Sequence, residues 1–241
     1  MVSIDNYQGR EQAYVKHVFL EGYLEALVHK TASAYDDFVY VDGFAGPWQS
    51  VNERFEDTSF GIAINALQRA KRSWSDRGRE VRMSAFLVER DALAYQKLAR
   101  VPQQNSDILV KTYNGDFVSL VPKILRGIPQ NAFVLFFIDP KGWRIPLRKL
   151  KPLLSRPRSE VVFNFMFDFI NRAASSPAVI TGLQELMPYG NWRQELAAAE
   201  QNRAITPEHR KKILVESFSE SLMQLGRYQY VAETTVLRPL T

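Results

Sequence analysis

Apolar residues along this chain change rhythm repeatedly, from helical spacing to short uninterrupted runs and back. Between residues 10 and 33 they recur at helical spacing, with Tyr14, Val18, Leu20, Tyr23, Leu24 and Leu27 marking a leading helix. Asp36 and Asp37 then read as a loop before a first strand over 38–42. That strand ends in an acidic residue and a glycine-containing turn, Phe38-Val-Tyr-Val-Asp-Gly-Phe-Ala-Gly-Pro47. Thr58 or Ser59 can cap a helix running to about residue 74. The same reading gives a strand over 81–89, a helix over 91–99, a strand over 108–113 and a helix over 117–125. Residues 133–138 are the most continuously apolar stretch, as expected of a central strand buried on both faces. A fifth strand follows over 160–165, a helical insertion over 181–204, a helix over 207–225 and a last alternating strand over 228–237.

Alternating strands and helices predict an α/β fold: a mostly parallel central sheet with right-handed crossovers and helices on both faces. The whole chain, 1–241, is expected to form one domain. Each of the first four strands ends at or beside an acid: Asp42, Glu89, Asp116 and Asp139. In an open parallel sheet such ends line the edge where ligands bind. Gly43 and Gly46 allow a tight turn there, Glu89 is placed for both hydroxyls of a ribose, and Asp116 for an adenine amino group with Phe117 against the ring. The alternative is that these acids cap the helices that follow.

Composition removes several chemistries. The absence of cysteine excludes disulfides, thiolate metal sites and thiol nucleophiles. Three histidines, His17, His29 and His209, are too scattered for a metal cage and read as structural or surface residues. No apolar run approaches the ~20 residues of a membrane span and the N-terminus lacks a signal pattern, so a soluble, cytoplasmic protein is expected. The net charge of +5 permits a nucleic acid partner without requiring one. One acid-free run carries Lys141, Arg144, Arg148, Lys149, Lys151, Arg156 and Arg158, either to contact phosphates or simply to face solvent. A second group, Arg69, Lys71, Arg72, Arg77, Arg79 and Arg82, reads as a solvated helix end, and Phe163, Phe165, Phe167 and Phe169 as core.

Asp42-Gly-Phe-Ala-Gly-Pro47, Phe86-Leu-Val-Glu-Arg-Asp91, Gly115-Asp116 and Phe137-Ile-Asp-Pro-Lys-Gly142 resemble the successive S-adenosylmethionine motifs of class I methyltransferases. The order of the chain, from Lys16 and Tyr23 through to Asn164-Phe165, Arg172 and Trp192, resembles one family among them, the three-Cys-motif partner (TcmP) proteins. The resemblance implies a Rossmann-like fold and S-adenosylmethionine as cofactor, held by Asp42, Gly43, Phe44, Ala45, Gly46, Glu89, Asp116 and Phe117. It also implies a partner protein that carries the three cysteines. It does not supply a substrate.

In amino-methylating nucleic acid enzymes of this kind, an Asp/Asn-Pro-Pro-aromatic motif holds the amine. Asp139 and Pro140 match it here, with Trp143 as a stacking face, while Lys141 and Gly142 depart from it. Lys141, Arg144, Arg148 and Lys149 are then the candidate phosphate contacts. The expected function is methylation of an amino group of a nucleic acid base, the alternative a non-catalytic partner module of the same fold. Trp48 stands where the family usually has glycine, which would narrow the methionine pocket. The family's sheet also ends in a seventh, antiparallel strand. A strand past Thr241, a second copy or a partner is therefore expected to complete it.

Overall fold

The structure is a computed structural model that describes residues 4–7, 9–46, 50, 55–105, 107–140, 142, 144–167, 170–171, 177–201 and 205–235. Among the site expectations, Trp48, Lys141 and Trp143 lie outside these residues, as does Arg172. The chain divides into two compact units, one built on residues up to Ile138 together with Arg158–Val162, the other on Asp139–Pro157 and Phe163–Glu233.

The first unit carries a five-stranded, all-parallel sheet in the order β3-β2-β1-β4-β5. Its strands are β1 (Asp37–Asp42), β2 (Arg82–Glu89), β3 (Leu109–Asn114), β4 (Phe133–Ile138) and β5 (Ser159–Phe163). β1 is central, with Phe38 opposite Met83 of β2 on one side and opposite Phe133 of β4 on the other. All of β4 is buried, as its unbroken apolar run requires. Alternate residues still part to two faces. Phe38, Tyr40, Met83, Ala85, Leu87, Phe133, Leu135 and Phe137 join one core cluster with Leu20, Leu24 and Val28 of α1 (Glu11–Ala32) and with Ala63, Ile64 and Leu67 of α2 (Ser59–Ser75). Phe86 lies on the other face. There Gly127 of α4 (Phe117–Gly127) comes so close that a Cβ would stand 3.3 Å from the Phe86 ring. The short helix α3 (Ala92–Leu98) links β2 to β3.

Local signals set the helix ends. Thr58, Asp91 and Asp116 each accept a bond from the backbone N–H three residues on, so each caps the helix it precedes. β1 begins at Asp37, which had read as loop. Arg82 at the start of β2 holds it there with two bonds, of 2.7 and 2.5 Å, to the Asp37 carboxylate. Three other members of that basic group are also engaged: Arg69 with Glu21 and Glu25, Arg79 with Asp36, and Lys71 with the Asp107 carbonyl. Arg72, Arg77 and Arg82 are exposed, as expected of a solvated group, while Arg69, Lys71 and Arg79 are half-buried. The segment before α1 is pinned as well. Arg10 reaches the fully buried Asp57 carboxylate at 2.9 Å, and the buried Tyr7 hydroxyl meets His17 Nδ1 at 2.7 Å.

The second unit is helical. A 3-10 turn, Leu147–Leu150, runs into α5 (Lys151–Leu154), followed by α6 (Pro177–Leu186), α7 (Trp192–Gln201) and α8 (Pro207–Gly226). The expected insertion over 181–204 is two helices broken near Gly190, whose φ of +83° and closeness to Ser217 exclude a side chain. Phe163 and Phe165 pack on Phe218 of α8, as expected of core residues.

The last strand expected over 228–237 does not form in its described part, 228–235. Arg227 leaves α8 in the left-handed conformation and the Tyr228 ring folds back over Gly226. The side chains from Tyr230 to Thr235 are all exposed, so the alternation has no layer to bury against. Among the described residues no helix is long and apolar enough to cross a membrane.

Two glycines in helices should respond oppositely to alanine. A Cβ on Gly61 would fall 1.9 Å from the Phe55 carbonyl oxygen, whereas exposed Gly22 in α1 has nothing within 4 Å. Gly61→Ala should cost about 1–3 kcal/mol by overpacking, and Gly22→Ala should gain about 0.5–1 kcal/mol from helix propensity. Urea denaturation of both variants checks the opposite signs.

Burial, then the Asp57 charge, pushes the Tyr7 hydroxyl up from 10.0 to about 12, with Glu21 and Tyr14 adding to the rise and Arg10 opposing it. The unfolded chain loses this proton first, so the contribution is intact below pH 10 and lost as pH rises toward 12. Tyr7→Phe should flatten the decline of stability across that window, read as the midpoint of thermal unfolding against pH.

Candidate functional site

Strand order decides where to look. The order reverses between β1 and β4, and in open α/β sheets the ligand crevice lies outside the carboxyl ends of the strands at such a switch. The chain that leaves β1 there is held on three sides. Gly43 N–H donates to the Phe137 carbonyl at 3.0 Å, Phe44 N–H to Asp42 Oδ1 at 3.0 Å, and Ala45 N–H to the Val88 carbonyl at 2.9 Å. These bonds tie the turn to β4, β1 and β2 at once, and each uses a backbone donor within the scaffold.

Asp42 is fully buried. Besides Phe44 N–H, its carboxylate accepts from the Ser59 hydroxyl at 2.7 Å and from the Tyr40 hydroxyl at 3.1 Å. It therefore joins the end of β1 to the turn and to the first residue of α2. Gly43 is required for a packing reason. A Cβ there would stand 3.0 Å from the Phe117 ring, which is 2% exposed and lies against Phe44 at a centroid distance of 5.6 Å. Phe117 is thus the floor of the turn.

Glu89 closes β2 at 3% exposure, and its Oε1 accepts from Asp91 N–H at 2.5 Å. Its carbonyl receives Gly115 N–H at 3.0 Å and the Asn114 side-chain amide at 2.9 Å, so the ends of β2 and β3 are stitched together. Asp116 is exposed and caps α4, accepting from both the backbone N–H and the hydroxyl of Ser119 at 2.9 Å. Asp42, Gly43, Phe44, Ala45, Glu89 and Phe117 thus belong to one connected edge of the first unit. Asp116 sits beside Phe117 in the chain with its carboxylate bent back onto its own helix. Gly46 follows the tied turn, partly exposed.

Asp139 and Pro140 belong to the second unit. There Asp139 Oδ1 accepts from the Asn164 side-chain amide at 2.5 Å, and the Pro140 carbonyl accepts Gly142 N–H at 3.0 Å. Gly142, at φ +119°, also points its N–H at the Met166 sulfur, 3.2 Å away. Asn164 had been noted only within a resemblance; its amide beside the Asp139 carboxylate gives the pair both a donor and acceptors. Arg144, Arg148 and Lys149 are exposed in the same unit. Sequence reading missed Ser59 and Tyr40, because a hydroxyl at a helix start and another on a strand carry no motif until the fold sets them on one carboxylate. Among the described residues no group of three His, Cys, Asp or Glu is placed to hold a metal ion.

No protein-family model matches the chain, and no curated protein matches it in sequence.

The scaffold role of Asp42 can be weighed directly. Asp42→Ala leaves three donors without their acceptor and should cost about 2–4 kcal/mol, and Ser59→Ala about 1 kcal/mol. Both are read by urea denaturation without ligand. An Asp42→Ala variant as stable as wild type would show that the carboxylate is not held for the scaffold.

Proposed function

We propose that the chain is an S-adenosylmethionine-dependent methyltransferase, related to the three-Cys-motif partner proteins and acting on an amino group of a nucleic acid base. The reading is supported above all by one arrangement. A parallel sheet of order β3-β2-β1-β4-β5 carries a glycine turn after β1 and a nearly buried carboxylate, Glu89, at the end of β2. Sheets of this kind take nucleotides at the switch between β1 and β4, with the acid of the second strand on the ribose.

The residues fit such a cofactor at Glu89, which closes β2 at the carboxyl edge from which an acid of such sheets reaches a ribose. In this reading Gly43, Phe44, Ala45 and Gly46 shape the wall beside it, and Asp42 and Phe117 brace that wall from behind. Asp116 offers its remaining acceptor capacity to an adenine amine. The bound cofactor supplies an electrophilic methyl group. Asp139 and the Pro140 carbonyl take the role of accepting the two hydrogens of the substrate amine, leaving its lone pair to attack, with Trp143 as the stacking face. Such a transfer draws its rate mainly from positioning. Arg144, Arg148 and Lys149, with Lys141, supply the phosphate contacts.

A second reading, a methyltransferase-like partner module without turnover, is favoured by a specific observation. The carboxylates of Asp42, Asp116 and Asp139 all accept bonds from their own scaffold.

Calorimetric titration with S-adenosylmethionine and S-adenosylhomocysteine separates the readings. Wild type should bind, and Glu89→Ala should lose about 1–3 kcal/mol, the range for hydrogen bonds to a charged group. No binding at millimolar ligand would end the enzyme reading. Equal affinity in the variant would remove Glu89 from the site.

A further inference from the structure

The two basic groups of the chain meet different fates. In the first unit Arg69, Arg79 and Arg82 are neutralised by carboxylates at 2.5–3.3 Å. In the second unit the run that begins at residue 141 is divided. Arg156 turns back onto the neighbouring Pro157 carbonyl at 2.9 Å, while Arg148 and Lys149 open onto a cleft of about 750 Å³. The facing wall comes from α6 and α7 and brings Thr181, Gln184 and a third cation, Arg193. Glu185 is the one acid in the lining. Among the described residues none of Arg148, Lys149 and Arg193 forms an ion pair.

Three cations sharing one concavity repel each other, and among the described residues no carboxylate is paired with any of the three. Arg148 is also held in place: its guanidinium lies 4.8 Å from the centroid of the Tyr189 ring and donates to the Pro188 carbonyl at 3.3 Å. A planar fork fixed in this way is preorganised for the oxygens of a phosphate. Thr181 and Gln184 add neutral hydrogen-bonding groups beside it. A volume of about 750 Å³ is in the range of small-ligand sites.

We propose that this cleft binds the phosphodiester backbone of single-stranded nucleic acid, with Arg148, Lys149 and Arg193 as its phosphate contacts. The choice of nucleic acid over other polyanions rests on the function proposed above, because a base amine must leave the stack before it can be methylated. The cleft then holds the backbone of the unpaired strand. Arg193 is the decisive residue, since it lies outside the basic run and joins it only through the fold.

The test is fluorescence anisotropy of a labelled single-stranded oligonucleotide on the full chain without cofactor, across a salt series. The comparison set is Arg148→Gln, Arg193→Gln and the exposed control Lys212→Gln, which pairs with Glu216 within α8. Wild type should bind the single strand more tightly than a duplex of the same sequence. Arg148→Gln and Arg193→Gln should each lower affinity several-fold and reduce the salt slope by about 0.7, the single-strand value per phosphate contact. Lys212→Gln should change neither, and circular dichroism should show all variants folded. No binding at low salt, an unchanged slope in Arg193→Gln, preference for duplex, or equal binding of polyglutamate would each overturn the proposal. Cofactor affinity is measured separately. An oligonucleotide response as described with no S-adenosylmethionine binding would keep the cleft and end the methyltransferase reading.

Discussion

The carboxylate of Asp42 stands at the end of the central strand with no exposure to solvent, where an ion is tolerated only if its oxygens are satisfied. Tyr40, Phe44 and Ser59 satisfy them, and in doing so fix three things at once: the end of β1, the path of the turn and the start of α2. The turn in turn uses its other donors on Phe137 and Val88, so the edges of β4 and β2 are held in register with it. Removing the charge would take away the one group that Tyr40, Phe44 and Ser59 share. The position of Glu89 relative to the glycine turn therefore depends on a residue that itself faces inward.

This bears on how acids at strand ends are interpreted. Nucleotide contact and helix capping were both open for Asp42, Glu89 and Asp116, and the three resolve differently. Asp116 is exposed and bonded to Ser119 as a helix cap, Asp42 is buried as a brace, and Glu89 is nearly buried with Asp91 N–H donating to its Oε1. Their shared place at or beside strand ends made the four acids look alike in sequence. The fold distinguishes them by what lies behind each one.

Much of the architecture was legible because its physics is local. The unbroken apolar run of β4 matches a strand buried on both faces, and the polar caps Thr58, Asp91 and Asp116 stand where helices begin. What stayed hidden depends on partners distant in the chain. Asp37 became strand because Arg82 grips it, and Arg193 joined Arg148 only through the packing of the helical unit. The alternating segment from Tyr228 misled for the opposite reason: its pattern suits a half-buried strand, but alternation is only a request for a layer that must exist elsewhere.

The sheet's central strand also sets an order of events during synthesis. β1 pairs with β2 across 44 positions, Phe38 to Met83 being 45 apart, but with β4 across about twice that separation, Phe38 to Phe133. Doubling a loop adds only about 0.6 kcal/mol to its closure, so equilibrium barely registers the difference. A ribosome does. β1, β2 and β3 are all synthesised before residue 133, and until β4 arrives one side of the central strand is an open ladder of backbone donors and acceptors. The nascent chain is exposed to wrong pairing for that interval, and the arrival of Phe133–Ile138 closes it.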